Sequence, residues 1–265
     1  TKIFYGLSYG TYKACLTNRS FDSMSFILIW IIRKSSEIYP NLNLKDSKVL
    51  ELGTGQFLSH PIAFKLLGAE FITTIDINKQ FNNKAAYYSL LNNTMARKVY
   101  SEYSFKEDVS ICLESFANKL KSSKKINLPF IEYLAPYDIL SCPIENEFDI
   151  VFSYTVLEHI PKNNIKEFIK SSLNTIKKDG FFIHYIDLED HLSSKNPFAF
   201  LDSKNWNDEK TKKRGNRLRM RHWDMILKDC EISDFKLIPL NYRLSQNKLQ
   251  NNDDYFCGII LVGKR

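Results

Sequence analysis

The chain has 265 residues, of which 44% are hydrophobic and 25% are charged, and this composition is ordinary for a soluble globular protein with one substantial core. Its five cysteines are odd in number and show no CxxC spacing, which argues against a disulfide framework and a zinc site and favours a reducing compartment. The longest apolar run, 26–32, is too short to span a bilayer, and no signal-peptide pattern stands at the N-terminus, so we expect a cytoplasmic protein without a membrane partner.

Residues 1–46 precede the first predicted strand, and we interpret them as an N-terminal helical cap. Tyr5, Tyr9 and Tyr12 recur about one helical turn apart. The stretch 21–39 predicts one long apolar helix, which Pro40 ends.

The segment KVLELGTG, 48–55, predicts a buried parallel strand that ends in a tight glycine turn. Glycines at such a turn let the backbone approach a ligand closely, because no Cβ intervenes. The next helix is expected to open at His60-Pro61, with a capping or surface role for His60 favoured over a place near a ligand.

The stretch 73–78, TTIDIN, predicts a second strand that ends in an acid, Asp76, 23 residues beyond Gly53. An acid at this distance from a glycine turn suits hydrogen bonds to a pair of ribose hydroxyls. Position 58 is a leucine, so the GxGxxG pattern of dinucleotide-binding proteins fails. Glu51 precedes the glycines, and a carboxylate there attracts a cationic ligand and repels a pyrophosphate.

The rest of the chain predicts alternating helices and strands, with no internal repeat. In chain order we expect a helix at 109–120, strands at 130–134 and 148–153, a helix at 163–178 that Asp179-Gly180 ends, a strand at 181–186, a helix at 216–230, and two antiparallel strands at 237–242 and 255–262.

The glycine turn ELGTG, the later acid Asp76 and the segment FDIVFSYTVLEHI at 148–160 together resemble the class I S-adenosylmethionine-dependent methyltransferases. The resemblance covers roughly 49–263 and implies a single α/β domain over 1–265. The implied fold is a Rossmann-like, seven-stranded, mostly parallel sheet with a C-terminal antiparallel strand and helices on both faces. A Rossmann-like domain with another ligand, or with none, remains the alternative.

The resemblance also implies a cofactor, S-adenosyl-L-methionine, and a set of residues that bind it. An acid after the third strand would meet the adenine amino group, and the residue at the end of the fourth strand would lie against the methionine portion. The N-terminal helices would cover the cofactor, unless their tyrosines only pack against the core. The implied cofactor-binding residues are Glu51, Gly53, Thr54, Gly55, Asp76, Ile77, Asp138, Ile139 and Ser153.

The run HYIDLEDH, 184–191, marks the acceptor side, because open α/β sheets bind ligands at the carboxyl ends of their strands. A hydroxyl acceptor needs its proton removed, and a histidine oriented by a carboxylate can do this. We therefore favour Asp187, Asp190 and His191 as the catalytic cluster, with His191 as base, and His184 near the acceptor. A divalent metal is disfavoured because the spacing fits no dedicated cage, and Asp190 as a helix cap stays open.

Basic residues are concentrated just beyond this run, at 204, 210, 212, 213, 214, 217, 219 and 221. Such a local excess could steer an anionic acceptor. We interpret 187–221 as an acceptor-side lid insertion, with 202–214 as its mobile part. A weaker resemblance to bacterial methyltransferases of surface-polysaccharide or secondary-metabolite pathways suggests that Asn216, Arg217 and Arg219 face the acceptor, although a solvated helix start remains equally open.

These observations predict a methyltransferase that acts on an oxygen of a small sugar-derived or phosphorylated acceptor. A nucleic-acid methyltransferase is the first alternative, motivated by the net charge of +7, but no RRM or KH signature appears and Tyr154-Thr155 stands where an NPPY-like motif would be. A non-catalytic binding subunit is the second. The sequence leaves open the acceptor and the atom methylated, the pathway and the oligomeric state. It also leaves open whether the base is His191, His184 or His159, the last of which follows Glu158 in the VLEHI segment.

Overall fold

The computed structural model describes residues 3–4, 6–100, 108–122, 125–144, 147–189, 197–198, 201, 215–240 and 255–265. The chain divides into two compact units, Thr1–Asp138 and Ile139–Arg265. Seven strands of the described residues form one mixed sheet, with three strands in the first unit and four in the second. The predicted seven-stranded α/β fold is therefore confirmed, while the assignment of 1–265 to a single domain stays a prediction.

The first unit contains a short strand pair, six helices and three sheet strands within its described ranges. They are β1 (Ile3–Phe4), β2 (Leu7–Ser8), α1 (Tyr9–Leu16), α2 (Phe21–Ile38), β3 (Lys48–Leu52), α3 (Ser59–Leu66), β4 (Phe71–Ile75), α4 (Asn83–Leu91), α5 (Thr94–Tyr100), α6 (Val109–Ser122) and β5 (Ile131–Leu134).

The three sheet strands of this unit are parallel and lie in the order β5, β4, β3. Leu52, the last residue of β3, is paired with Ile75 of β4, and Ile75 is paired with Leu134 of β5. All three strands therefore end level with one another. The residues that follow them are collected at one edge of the sheet, where parallel sheets bind ligands.

The described part of the N-terminal cap is largely helical. The Ser20 hydroxyl accepts a hydrogen bond from the Ser23 amide and so caps α2, which ends at Ile38, one residue earlier than predicted. In α1 the ring of Tyr12 packs edge-on against Tyr88 of α4, with ring centroids 5.5 Å apart. Tyr12 thus packs on a neighbouring helix, which is the core-packing role that the sequence left open.

The second unit contains four sheet strands, two α-helices and one 3₁₀ turn within its described ranges. They are β6 (Phe148–Tyr154), the 3₁₀ turn Leu157–His159, α7 (Ile165–Asn174), β7 (Ile176–Asp187), α8 (Met220–Asp229), β8 (Phe235–Leu240) and β9 (Gly258–Lys264). β6 and β7 are parallel, and β9 is antiparallel to both β7 and β8. The predicted antiparallel closing strand is confirmed.

The boundary between α7 and β7 differs from the prediction of a helix over 163–178. The helix ends at Asn174, and β7 starts at Ile176, which is paired with Phe148 of β6. The Thr175 carbonyl accepts hydrogen bonds from the amides of Glu147 and Phe148 at 2.9 and 3.0 Å, so this stretch is already bound to the sheet. Asp179, at φ 68°, stands inside the strand and does not end a helix.

Among the described residues, no helix is both long and apolar enough to cross a membrane.

Replacing Gly263 by alanine should lower the free energy of unfolding by about 1–3 kcal/mol, since overpacking a filled site strains its neighbours. A Cβ at Gly263 would meet the Phe182 ring and come within 2.6 Å of the Asp234 carbonyl oxygen. Urea unfolding of both variants measures the effect. Gly10→Ala in α1 is the matched control, because a Cβ there meets no atom within 4 Å and alanine favours a helix. Equal stability of the two variants would contradict the assigned close approach.

Candidate active site

The glycine turn after β3 is bound to the end of β4. Gly53 and Gly55 have positive φ angles of 85° and 62°, a region that glycine adopts without steric cost. The amides of Gly53 and Thr54 donate to the Ile75 carbonyl oxygen at 2.8 and 3.2 Å. A Cβ built on Gly55 would meet no atom of the described residues within 4 Å, so within that part of the chain open space lies over the turn. The turn predicted from the sequence is therefore present and accessible to a ligand.

Asp76 follows β4 directly and is held by two backbone amides. Its Oδ2 accepts a hydrogen bond from the Gly55 amide and its Oδ1 from the Asn78 amide, both at 2.9 Å. Each carboxylate oxygen keeps an acceptor position, since it can accept more than one hydrogen bond. The next residue, Ile77, is 64% exposed. An oriented carboxylate thus lies beside an unburied aliphatic side chain.

The loop after β5 joins the same edge of the first unit. The Tyr137 amide donates to the Asp76 carbonyl oxygen at 2.9 Å, and the peptide bond between Ala135 and Pro136 is cis. Asp138, the next residue, is half-buried. The structure therefore brings the loop that carries Asp138 to the end of β4. Ile139, which begins the second unit, is buried.

A buried hydrogen-bond chain lies beneath the glycine turn, and the sequence reasoning missed most of it. Glu51, which is 3% exposed, accepts hydrogen bonds from His60 Nδ1 at 3.1 Å and from Thr74 Oγ1 at 2.6 Å. Thr74 in turn accepts from the Thr54 hydroxyl at 2.6 Å, because its own proton is donated to Glu51. The expected surface or capping role of His60 is wrong, since the residue is buried against Glu51.

The pattern of the two predicted strands contained a signal for this hydrogen-bond chain. Glu51 and Thr74 are direct partners in the parallel register of β3 and β4, so their side chains share one face of the sheet. Aligning the residues that directly precede Gly53 and Asp76 would have paired them. Cofactor binding by Glu51 stays a prediction.

In the second unit, Ser153 and His184 form a buried pair on neighbouring strands. They are partners in the register of β6 and β7, and Ser153 Oγ lies 2.8 Å from His184 Nδ1. Burial lowers the pKa of His184 to about 3, because a charged imidazole would lose its hydration there. The His184 ring is therefore neutral near pH 7, and it is a weak base for removing a proton from an acceptor.

Asn216 holds the loop that carries the VLEHI segment. Its Nδ2 donates to the carbonyl oxygens of Leu157 and Ile160 at 2.8 and 3.0 Å, and its amide donates to the Glu158 carbonyl oxygen. These bonds explain why α8 begins at Met220 and not at Asn216, as the sequence predicted. Asn216 is therefore used to bind the loop and not to continue a helix. Acceptor contact by Asn216 stays a prediction.

The two predicted acceptor arginines differ in their surroundings. Arg219 is 1% exposed, and its guanidinium donates to the carbonyl oxygens of Leu188 and Phe256 and lies 5.5 Å from the centroid of the Phe198 ring. Its side chain therefore joins three separate segments of the unit from inside. Arg217, at φ 55°, is half-buried. Acceptor binding stays a prediction for both.

Of the predicted catalytic cluster, only Asp187 lies within the described residues. Asp187 ends β7, and its Oδ1 accepts a hydrogen bond from the Glu189 amide at 2.9 Å. Asp190 and His191 lie outside the described residues, as does the predicted lid segment 202–214. Within the described ranges, no three His, Cys, Asp or Glu side chains form a group suited to a metal ion.

No model of a known protein family matches the chain, and no curated protein matches its sequence. Solved structures do match. Phosphoethanolamine N-methyltransferase 2 of Haemonchus contortus, in complex with S-adenosyl-L-methionine, is 13% identical with a TM-score of 0.51, and the match covers 98% of this chain and 60% of that one. Magnesium protoporphyrin IX methyltransferase of Synechocystis PCC 6803, with bound SAH, is 14% identical with a TM-score of 0.50, covering 89% and 81%.

A third structure, the CurJ carbon methyltransferase, is 12% identical with a TM-score of 0.49, and the match covers 96% of this chain. This chain spans 57% of the length of that structure. At such identities the likeness shows the fold. The chain has the Rossmann-like fold of the class I S-adenosylmethionine-dependent methyltransferases.

His184 should stay neutral in the folded protein as the pH falls from 8 to 4, because its pKa is about 3. The unfolded chain takes up this proton near the ordinary value of 6.5, so the free energy of unfolding should fall as the pH drops below 6.5. NMR of the imidazole ring and unfolding at a series of pH values measure both effects.

Ser153→Ala serves as the control for this experiment. Burial, and not the hydrogen bond to Ser153, causes the shift, so His184 should stay neutral in this variant. A ring that titrates near 6.5 in the wild-type protein would contradict the assigned burial.

Proposed function

We propose that this protein transfers a methyl group from S-adenosyl-L-methionine to an oxygen of a small sugar-derived or phosphorylated acceptor. One observation carries the proposal. Asp76 is bonded to the amide of Gly55, open space lies over that glycine, and the exposed Ile77 comes directly after. An adenosine needs these features together: a carboxylate for its ribose hydroxyls, an apolar side chain for its ring, and close access to the backbone.

The cofactor residues divide by the part of the nucleoside that each would hold. Asp76 would accept both ribose hydroxyls, and Ile77 would pack on the adenine, with Asp138 at its amino group and Ile139 against the ring. Gly53, Thr54 and Gly55 would border the methionine portion, and Glu51 would supply negative charge there. Ser153, in the second unit, would offer a small side chain to the same portion. When bound, the cofactor supplies an electrophilic methyl group on a sulfonium. The protein aligns the acceptor and excludes water.

The choice of an oxygen acceptor rests on the polar residues of the second unit. Asp187 stands at the carboxyl end of β7, and Arg217 lies half-buried beyond it. Arginine forms paired hydrogen bonds with phosphate or carboxylate groups, which suits an anionic acceptor. Asp190 and His191 complete the proposed catalytic group, Asn216 and Arg219 shape its surroundings, and no metal takes part. Residues 1–46 would cover the cofactor, and 187–221 the acceptor.

Asp76→Ala should weaken the binding of S-adenosylhomocysteine at least about tenfold, because hydrogen bonds to a charged carboxylate contribute roughly 1.5–3 kcal/mol each. Titration calorimetry of the two proteins measures the loss. Unchanged affinity in the variant would contradict the ribose assignment, and a wild-type protein that binds neither the substrate nor the product form of the cofactor would overturn the proposal.

Because Asp76 also holds the turn, a second variant separates binding from folding. Ile77→Ala should weaken binding about fivefold, which corresponds to the loss of roughly 1 kcal/mol of apolar contact. Ile111→Ala is the matched control, since Ile111 is 68% exposed on α6 of the same unit and should leave the affinity unchanged. Equal effects of the two alanines would contradict the adenine assignment.

Arg217→Ala should raise the KM for a phosphorylated acceptor about tenfold and leave that for its unphosphorylated form unchanged, because a charge-assisted pair is lost. The measurement is transfer of a tritiated methyl group to sugar phosphates and to the parent sugars. Lys170→Ala is the control, since Lys170 is an exposed cation on α7 of the same unit, outside the basic segment. Transfer to amines alone would contradict the choice of an oxygen acceptor.

A further inference from the structure

Glu158, in the VLEHI segment, carries a buried carboxyl group that makes no hydrogen bond of normal geometry with the described residues. The residue is 4% exposed, and neither carboxyl oxygen has a hydrogen-bond partner among the described residues. The Nε2 atom of His159 lies 3.9 Å from Oε1, on a side chain that is 47% exposed. A buried polar group without a partner costs free energy, so a group of this kind needs a reason to be there.

Glu158 lies just after the carboxyl end of one parallel strand and near that of its neighbour, where α/β sheets commonly bind ligands. β6 ends at Tyr154 and β7 at Asp187, and the two strands are parallel neighbours. Glu158 follows the end of β6 by one short turn, and the charge of the Asp187 carboxylate acts on it. Open α/β sheets bind their ligands at this end of the strands.

The loop that presents Glu158 is rigidly held. Asn216 bonds the backbone carbonyls on both sides of it and that of Glu158 itself, and the Thr155 amide donates to the Tyr185 carbonyl oxygen. Thr155 adopts a positive φ of 54°, a conformation that is uncommon for a β-branched residue. A residue on such a fixed loop keeps its geometry when a ligand arrives, as catalytic groups require.

The environment of Glu158 raises its pKa well above 4.5. Burial is the largest cause, and the negative charge of Asp187 adds to it, while the backbone amides of Glu158 and Asp187 face the carboxyl and oppose the rise. A carboxyl with a raised pKa holds a proton more firmly than a surface carboxylate does. It is therefore better matched to proton transfer near neutral pH.

We propose that Glu158 is the catalytic residue that accepts the proton of the acceptor hydroxyl during methyl transfer. This inference rests on the function proposed above, and it assigns to Glu158 the role of base that the sequence predicted for His191. As the acceptor oxygen forms its bond to the methyl carbon, the carbon–sulfur bond breaks and its electron pair stays on sulfur. The hydroxyl proton passes to the Glu158 carboxylate and is later released to water.

The titration of Glu158 is the first test. The Cδ resonance of labelled glutamate that is lost in Glu158→Gln identifies the residue, and its midpoint should lie well above 4.5 in the wild-type protein. Asp187→Asn should shift the midpoint to lower pH, since it removes a like charge. Glu167→Gln, at an exposed position of α7, is the control and should leave the resonance in place. An ordinary midpoint overturns the inference.

The pH dependence of unfolding tests the raised pKa of Glu158 independently. The raised pKa in the folded state means that the stability contributed by Glu158 is lost as the pH rises from 4.5 through the folded value, and the difference between the wild-type protein and Glu158→Gln separates this effect from the opposite one of His184. The glutamine of Glu158→Gln resembles the protonated acid in shape, so this variant should fold. Its stability should no longer decline with rising pH in this way, whereas Glu167→Gln should show the same decline as the wild-type protein.

Transfer of a tritiated methyl group to glucose, glucose 1-phosphate and glycerol is the second test. The wild-type kcat/KM should rise with pH through the midpoint of Glu158, and Glu158→Gln should lower it about 100-fold and abolish the rise, with cofactor binding kept. Transfer at the wild-type rate in this variant overturns the inference and leaves the proposed function standing. Failure of the wild-type protein to bind the cofactor overturns both. If no acceptor is methylated, the titration decides alone.

Discussion

The hydrogen bonds between the glycine turn and the end of β4 determine the geometry of the candidate cofactor site in the first unit. Gly53 and Thr54 donate to the carbonyl of Ile75, and Gly55 donates to the carboxylate of Asp76. The first two bonds continue the β-ladder past the last residue of the strand, and the third is charge-assisted, hence stronger. The turn can keep two glycines at positive φ because these bonds fix it. The Asp76 carboxylate, for which we propose contacts with two ribose hydroxyls, is thus already oriented.

Beneath this turn the same edge is stabilised by polar groups that satisfy one another. The carboxylate of Glu51 would be costly to bury alone, but His60 and Thr74 each donate to one of its oxygens. Thr54 links the chain to the turn itself. These hydrogen bonds hold the glycine-rich turn in place from the buried side. They also explain why an acid, Glu51, is buried in an otherwise apolar strand.

The sequence was sufficient to predict an element where the local pattern and the tertiary structure favour the same conformation. Lys48–Leu52 is an apolar run closed by glycines, and its strand was predicted to the residue. The sequence failed at Ile176, which continues the helical spacing of α7, because pairing with β6 outweighs that spacing. It failed again at Asn216, whose side chain binds backbone carbonyls of a loop distant along the chain. No local signal reports such a contact.

The candidate site residues divide in the same way. The place of Asp76 beside the glycine turn could be predicted, because its spacing from the glycines is set by one helix and one strand of ordinary length. Glu158 could not be singled out, because an acid in a helical turn after a strand is usually solvated. Only burial, which depends on the surrounding elements of the unit, distinguishes it from an ordinary surface glutamate.

Burial shifts the pKa values of two groups of the second unit, His184 of β7 and Glu158 of the 3₁₀ turn, in opposite senses and for one reason. Charge is unfavourable in this interior, so His184 loses its proton and the carboxyl of Glu158 holds one more firmly. His184 is in addition bonded to Ser153, so a hydrogen-bond partner already occupies one ring nitrogen. Glu158 has no such partner among the described residues, and the negative charge of Asp187 acts against its ionisation. Positive charge brought near Glu158 would favour its charged form, so ligand binding and proton release would be coupled at this residue.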